Sequence, residues 1–210
     1  RGSPVLISCV VYLDRQHSGK PARPRDRGAS ADLDGDGKIA RDEQEAAMTA
    51  RYLLACELAL LEMGHVVIPI SDGSYNERHA RVNRYAGTFK AGQPQVYIAA
   101  HLNAGAGSYG LIGYDHRSRS GPELASRIGR QLRQVAPELN GVKCIEAKPD
   151  DWTRNMYTTI SGVTQPIGLC LEPAFLDQPA HADLLTREGL STMGRAIAAG
   201  IDAWANTCEV

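Results

Sequence analysis

The sequence predicts an α/β protein: a single domain built on a mainly parallel, twisted sheet of about six strands, with helices on both faces. Three observations predict it. Short apolar runs rich in β-branched residues recur along the chain, amphipathic helical patterns separate them, and no internal repeat, low-complexity tract or long linker divides the 210 residues. At this length one well-buried domain is expected, spanning 1–210.

The first strand is expected in "PVLISCVVYLD" (4–14), a continuous apolar run of the kind that buried central strands show. "HVVIPI", "QVYIAAHLNA", "GLIGYD", "GVKCIEA" and "PIGLCLEPAF" repeat that character. Between them lie helical patterns over 43–63, with Ala47, Ala50, Leu54, Leu58 and Leu61 in register, and over 76–91, whose charges are expected to face solvent. Further patterns cover 122–136 and 182–205, the last with Leu184, Leu185, Ile197 and Ile201. Alternation of strand and helix implies parallel pairing through crossover connections.

Composition removes several function classes. A net charge of -1, with 22% charged and 43% hydrophobic residues, is an ordinary globular profile without the basic excess of a nucleic-acid binder. No apolar run reaches the ~18 residues of a membrane span. The opening "RGS" has no apolar stretch behind it and is not read as a signal peptide. Cys9, Cys56, Cys144, Cys170 and Cys208 are odd in number and lack CxxC spacing, so they are read as reduced core residues of a protein made in a cytoplasm. A monomer is expected.

The one irregular stretch, 15–42, is long enough to suggest function. Its second half resembles an EF-hand loop over 32–43. Calcium prefers six to eight oxygens, and Asp32, Asp34, Asp36, the Lys38 carbonyl and Glu43 fall on positions 1, 3, 5, 7 and 12, with Gly37 at the turn position and Ile39 as apolar anchor. Ala40 at position 9 leaves room for a water. "RPRDRGAS" forms no entering helix and no second loop pairs with this one, so a single structural calcium site is expected, within an insertion covering 18–43.

A second metal is suggested by "LDRQHSG", "EQEA" and "AAHLNAG". In an open parallel sheet, sites gather at the carboxyl ends of strands, where His17 and His101 would converge. Two imidazoles and one carboxylate leave the fourth tetrahedral position of zinc for water. Glu172 in "GLCLEPAF" ends an apolar strand on the side opposite Leu169 and Leu171, a costly place for an idle carboxylate.

These residues resemble, over nearly the whole chain, the zinc-dependent N-acetylmuramoyl-L-alanine amidases of the AmiC/CwlV type, found in phage endolysins and bacterial autolysins. "DRQHSG" looks like the family's Asp-x-Gly-His-Gly-Gly, "AAHLNAG" is similar to Ser-Ile-His-Ala-Asn, and "LCLEPAFLD" resembles Val-Glu-x-Gly-Phe. The segment "EAAMTARYLLACELALLEMGHVV" resembles the helix-to-strand stretch led by a zinc-binding glutamate. The resemblance implies His17, Glu45 and His101 as zinc ligands and Glu172 as the catalytic base. Arg15, Gln16 and Ser18 depart from the small residues usual around the first histidine, Ala174 from a glycine and Asp177 from an asparagine.

Residues two apart on a helix point about 200° from one another, so Glu43 and Glu45 are expected to serve two ions, with calcium organising the insertion that precedes a zinc ligand. The implied activity is hydrolysis of the amide between N-acetylmuramic acid and L-alanine in peptidoglycan, most simply by an endolysin made in a host cytoplasm, otherwise by a secreted or periplasmic enzyme. A zinc peptidase acting on stem peptides and a non-catalytic calcium-dependent wall-binding module are the alternatives. "GAGSYG" precedes a strand and not a helix, which argues against dinucleotide binding, and Cys170 is read as core. His65, His79, His116 and His181 are expected at the surface or at strand ends.

Overall fold

Six strands form one sheet: β1 (Val10–Arg15), β2 (Val66–Ile70), β3 (Gln95–Ala100), β4 (Gly110–Asp115), β5 (Val142–Ala147) and β6 (Ile167–Glu172), in the order β2-β1-β3-β6-β4-β5. The computed structural model describes residues 8–23 and 25–208, so residues 4–7 of the expected first strand lie outside the described residues. β1 pairs in parallel with β2 and β3, β3 with β6, and β4 with β5, whereas β4 runs antiparallel to β6. The connection from β3 to β4, residues 101–109, is too short to return to the opposite edge, so β4 starts at the edge where β3 ends. β1, β3 and β6 therefore lie side by side with their carboxyl ends along one edge.

The helices are α1 (Glu45–Glu62), α2 (Tyr75–Ala86), α3 (Gly121–Val135), α4 (Arg154–Ile160), α5 (Ala182–Leu185) and α6 (Arg187–Ala205). Val11, Leu13, Ile98, Leu169 and Leu171 face α1, α3 and α6, and Val10, Tyr12, Tyr97 and Cys170 face α2 and α4. Strands buried on both faces need apolar side chains at every step, which is why they read as continuous apolar runs. Each fully buried Leu or Ile contributes about 1.5–3 kcal/mol.

Several expectations need correction. The pattern over 182–205 is broken at Thr186, whose extended backbone ends α5 and whose side chain accepts the Gly189 N–H to cap α6. Gly189 admits no Cβ there, since one would lie 2.2 Å from the Asp183 carbonyl oxygen. The helix expected over 76–91 stops at Ala86, and the Thr88 hydroxyl donates to the Tyr85 carbonyl of its last turn at 2.7 Å. α4, rich in threonine and only seven residues long, was not expected. α1 buries Met48, Tyr52, Leu53, Cys56, Ala59 and Leu60, leaving Leu54, Leu58 and Leu61 exposed. Apolar residues surround this helix on most sides, so spacing alone did not choose the face.

The charged helix α2 also turns inward. Arg78 is fully buried; it donates to the Asp14 carboxylate, to the Arg15 carbonyl at 3.0 Å, to the Gly73 carbonyl at 2.8 Å and to the Ser18 carbonyl. Asp14, also fully buried, accepts further from the Tyr97 hydroxyl and, at 2.6 Å, from Gln16 Nε2. Of the four histidines expected at the surface or at strand ends, His65 does sit at the start of β2, where it is buried and bridges the Cys9 N–H and Asp202; His79, which meets the Thr159 carbonyl, and His181, which accepts the Phe175 N–H, are buried away from any strand end. His116, just past β4, is exposed.

Removing one partner of a buried ion pair strands the other charge, at a cost of about 3–5 kcal/mol. Arg78→Met is therefore expected to lower stability by about that amount in urea unfolding, and Asp14→Asn added to it to recover part of the loss. Equal stability of Arg78→Met and the parent would contradict this account of the network.

Candidate metal centre

His17 lies two residues past the end of β1 in a left-handed backbone conformation, φ 56°. A non-glycine residue holds that conformation only where its surroundings impose it. Here the Ser18 hydroxyl bonds to the Arg15 and Ser71 carbonyls, both at 2.7 Å, and the Gly73 N–H bonds to the Gly19 carbonyl at 2.9 Å. Arg78 grips the same turn from below. Gln16, which donates to Asp14, and Ser18 are thus working parts of this turn.

His101 directly follows β3. Its N–H bonds to the Leu171 carbonyl at 2.8 Å and its carbonyl accepts from the Tyr52 hydroxyl at 3.1 Å. Glu45, the first residue of α1, reaches across to both histidines. Its Oε1 lies 3.0 Å from His101 Nδ1, 3.3 Å from His17 Nε2 and 3.1 Å from the Leu102 nitrogen, which donates to it; its Oε2 accepts the Ala29 N–H at 2.8 Å. The two imidazole nitrogens are 3.1 Å apart.

Three donor atoms thus form a triangle with edges of 3.0, 3.1 and 3.3 Å. Tetrahedral zinc with N and O ligands at ~2.0–2.1 Å spaces them by about 3.3 Å, so His17, Glu45 and His101 fit that ion. Charge agrees with geometry. Burial opposes protonation of His17, but Glu45 and then Asp26 override it and raise its pKa. Glu45 is itself buried, which favours its neutral form, yet His101 and His17 hold its carboxyl down at about 2. The cluster draws positive charge into its centre.

The three residues line a cleft of about 550 Å³, together with Cys170 and Glu172 of β6, Tyr75 of α2, Arg23 of the insertion, and Asn155 and Thr159 of α4. The Glu172 carboxylate makes no hydrogen bond or ion pair among the described residues. Desolvation, and then the negative Glu45, push its carboxyl up to about 7. A free carboxylate with that affinity for protons suits a general base near neutral pH. Cys170 is buried and burial pushes its thiol far up, so it is no nucleophile.

Asp26 was not foreseen. Its Oδ1 lies 2.9 Å from His17 Nδ1, on the far side of the ring from Glu45. Nothing in the local pattern of "RPRDRGAS" marks an aspartate that meets a residue nine positions earlier.

In the expected calcium loop, the carboxylates of Asp32, Asp34 and Asp36 come within 4.8 Å of one another. Asp32 accepts the Gly35 and Gly37 N–H groups, both at 2.8 Å, Asp34 that of Asp36, and Asp36 that of Lys38; Gly37 takes the φ of 81° that its turn position needs. Glu43 does not join this cluster. Its Oε1 accepts from Leu33 and Asp34 nitrogens, and its Oε2 from that of Ala40 at 2.6 Å. Glu43 and Glu45 do serve different neighbourhoods.

Neither family models nor curated proteins match the sequence. Solved structures do. Cwp6 from Clostridium difficile aligns over 93% of this chain with 26% identity and a TM-score of 0.68, although the chain spans only 29% of it. The N-acetylmuramoyl-L-alanine amidase AmiC2 of Nostoc punctiforme aligns over 92% of this chain and 94% of its own, with 20% identity and a TM-score of 0.65. An N-acetylmuramoyl-L-alanine amidase from Clostridium difficile 630 aligns over 96% and 98%, with 15% identity and a TM-score of 0.68. The chain has the fold of these amidases. At those identities the likeness to the two amidases speaks for the fold, and activity is argued from the site.

The raised pKa of Glu172 has a consequence for stability. Its ordinary value is 4.5, so between about 4.5 and about 7 the folded protein holds a proton that the unfolded chain has lost. The stability this proton contributes is present below about 4.5 and is lost as the pH rises through about 7. In chelator-treated protein, Glu172→Gln is expected to be more stable than the parent at pH 8 by about 1–3 kcal/mol and to show little gain at pH 4, as read by denaturant titration.

Proposed function

We propose that the protein is a zinc-dependent peptidoglycan hydrolase that cleaves the amide between the lactyl group of N-acetylmuramic acid and L-alanine. The observation that carries the reading is the donor triangle of His17, Glu45 and His101 in one cleft with the unpartnered Glu172. The amidase fold supports it. Zinc held by the triangle would supply Lewis acidity, acidifying water and polarising the scissile carbonyl. Glu172 takes a proton from the attacking water as its oxygen bonds to the carbonyl carbon, and returns it to the alanine nitrogen as the C–N bond breaks. The products are a free lactyl carboxylate and a stem peptide with a free amino terminus.

The insertion over 18–43 is read as a calcium-stabilised support for this centre. Its chain returns to α1 through the Ser30–Gln44 bridge and the bonds from Glu45 and Ala46 nitrogens to the Ala29 and Arg27 carbonyls, at 2.9 and 3.0 Å. Calcium at Asp32, Asp34 and Asp36 with the Lys38 carbonyl would fix the far end of that support, while Glu43 would ligate it only by giving up a bond to the Leu33, Asp34 or Ala40 N–H. Five free cysteines suit synthesis in a host cytoplasm, and we read the chain as a monomeric endolysin domain whose partner is the cell wall. Among the described residues no helix is long and apolar enough to cross a membrane.

With purified peptidoglycan, the protein is expected to release alanine amino termini and no reducing ends, and to stop when zinc is chelated. Glu172→Gln is expected to keep its zinc and lose about 10²–10⁴-fold in turnover. Reducing ends, amino termini other than alanine, or full activity in that variant would each overturn part of this reading, the second in favour of a stem-peptide peptidase.

Calcium and zinc are further expected to raise one another's affinity by the same factor, because linkage is reciprocal. Calorimetric titration of each ion with and without the other reads this. Independent affinities would remove calcium from the account of the zinc centre.

A further inference from the structure

His17 turns Nε2 towards Glu45 and His101, which leaves Nδ1 to be satisfied elsewhere. We propose that Asp26 is a positioning residue that fixes the tautomer and orientation of the His17 ring and thereby sets the affinity of the metal centre. The proposal rests on the zinc reading above and adds a residue that is not a ligand.

An imidazole can ligate through Nε2 only when that nitrogen is bare. A carboxylate accepting the Nδ1 proton selects that tautomer, holds the ring plane and makes Nε2 more basic. Asp26 stands where this requires, with Oδ1 at 2.9 Å from Nδ1. The carboxylate is itself fixed: Oδ1 accepts the Gly28 N–H at 3.0 Å and Oδ2 accepts from Lys20 Nζ at 3.2 Å, with that ammonium 5.0 Å from the Tyr75 ring centroid. A free aspartate on a mobile loop would position nothing.

The segment carrying Asp26 also touches the second ligand. Ala29 donates to Glu45 Oε2 at 2.8 Å, and Gly28, at φ 73°, packs so closely that a Cβ would lie 2.2 Å from the same oxygen. Residues 26–29 therefore reach two of the three ligands from one short stretch of the insertion. His101, by contrast, has its Nε2 buried without a partner. It is held instead through its backbone, between β6 and Tyr52. His17 stands beyond its strand in a left-handed turn, so its ring needs a partner outside the strand.

The test compares zinc affinity, by competition with a chromophoric chelator, in the parent, Asp26→Asn and Asp26→Ala. Melting of the zinc-free proteins and their calcium affinity are measured in parallel. Asp26→Ala is expected to bind zinc about 10–100-fold more weakly, Asp26→Asn to fall between it and the parent, and zinc-free melting and calcium binding to be unchanged. Parent-like zinc affinity in both variants would overturn the proposal. So would a zinc loss matched by losses in zinc-free melting temperature and calcium affinity, since that reports collapse of the insertion. A parent that binds no zinc would overturn the metal-centre reading itself, before any variant is compared.

Discussion

The buried carboxylate of Glu45 is the group on which the rest of the site depends. One oxygen faces both histidines and takes the Leu102 N–H, while the other takes the Ala29 N–H. A carboxylate taken out of water is stable only if its lone pairs are met. Meeting them ties together four segments distant in sequence: the turn after β1, the insertion, the start of α1 and the end of β3. The same contacts that make burial of the charge tolerable place three donor atoms at a spacing that fits zinc.

That arrangement needs α1 to begin at one particular residue, and the start of the helix is secured in an unusual way. Gln44 at its N-cap offers no side-chain bond. The free N–H groups of Glu45 and Ala46 are met instead by the Ala29 and Arg27 carbonyls of the insertion. The insertion therefore does the work of a cap. On the other side of the site, the Arg78–Asp14 pair locks the turn that carries His17. Both anchors are long-range polar contacts in dry surroundings, where leaving one partner unmet costs far more than the bond adds.

Much of this was legible in the sequence. The strands announced themselves because burial on two faces demands uninterrupted apolar residues, and His17, His101 and Glu172 stood out as polar residues at the ends of such runs. Only the family resemblance distinguishes Glu45 from Glu43 in the sequence, where one helical pattern covers both; in the structure Gln44 is extended and α1 starts at Glu45. What stayed hidden depends on partners far away in the chain. Arg78 and His79 look like surface residues of a charged helix until Asp14 and Thr159 meet them. Asp26 looks like loop charge until His17 folds onto it. The exposed Leu54, Leu58 and Leu61 show the converse, an apolar spacing that does not face the core.

The most direct measurement is anomalous X-ray diffraction at the zinc edge from a crystal grown with zinc. The account predicts one strong peak about 2.0–2.1 Å from His17 Nε2, Glu45 Oε1 and His101 Nδ1, with Asp26 still on His17 Nδ1. A crystal with no peak among those three atoms, or with zinc held by another set of residues, would contradict it.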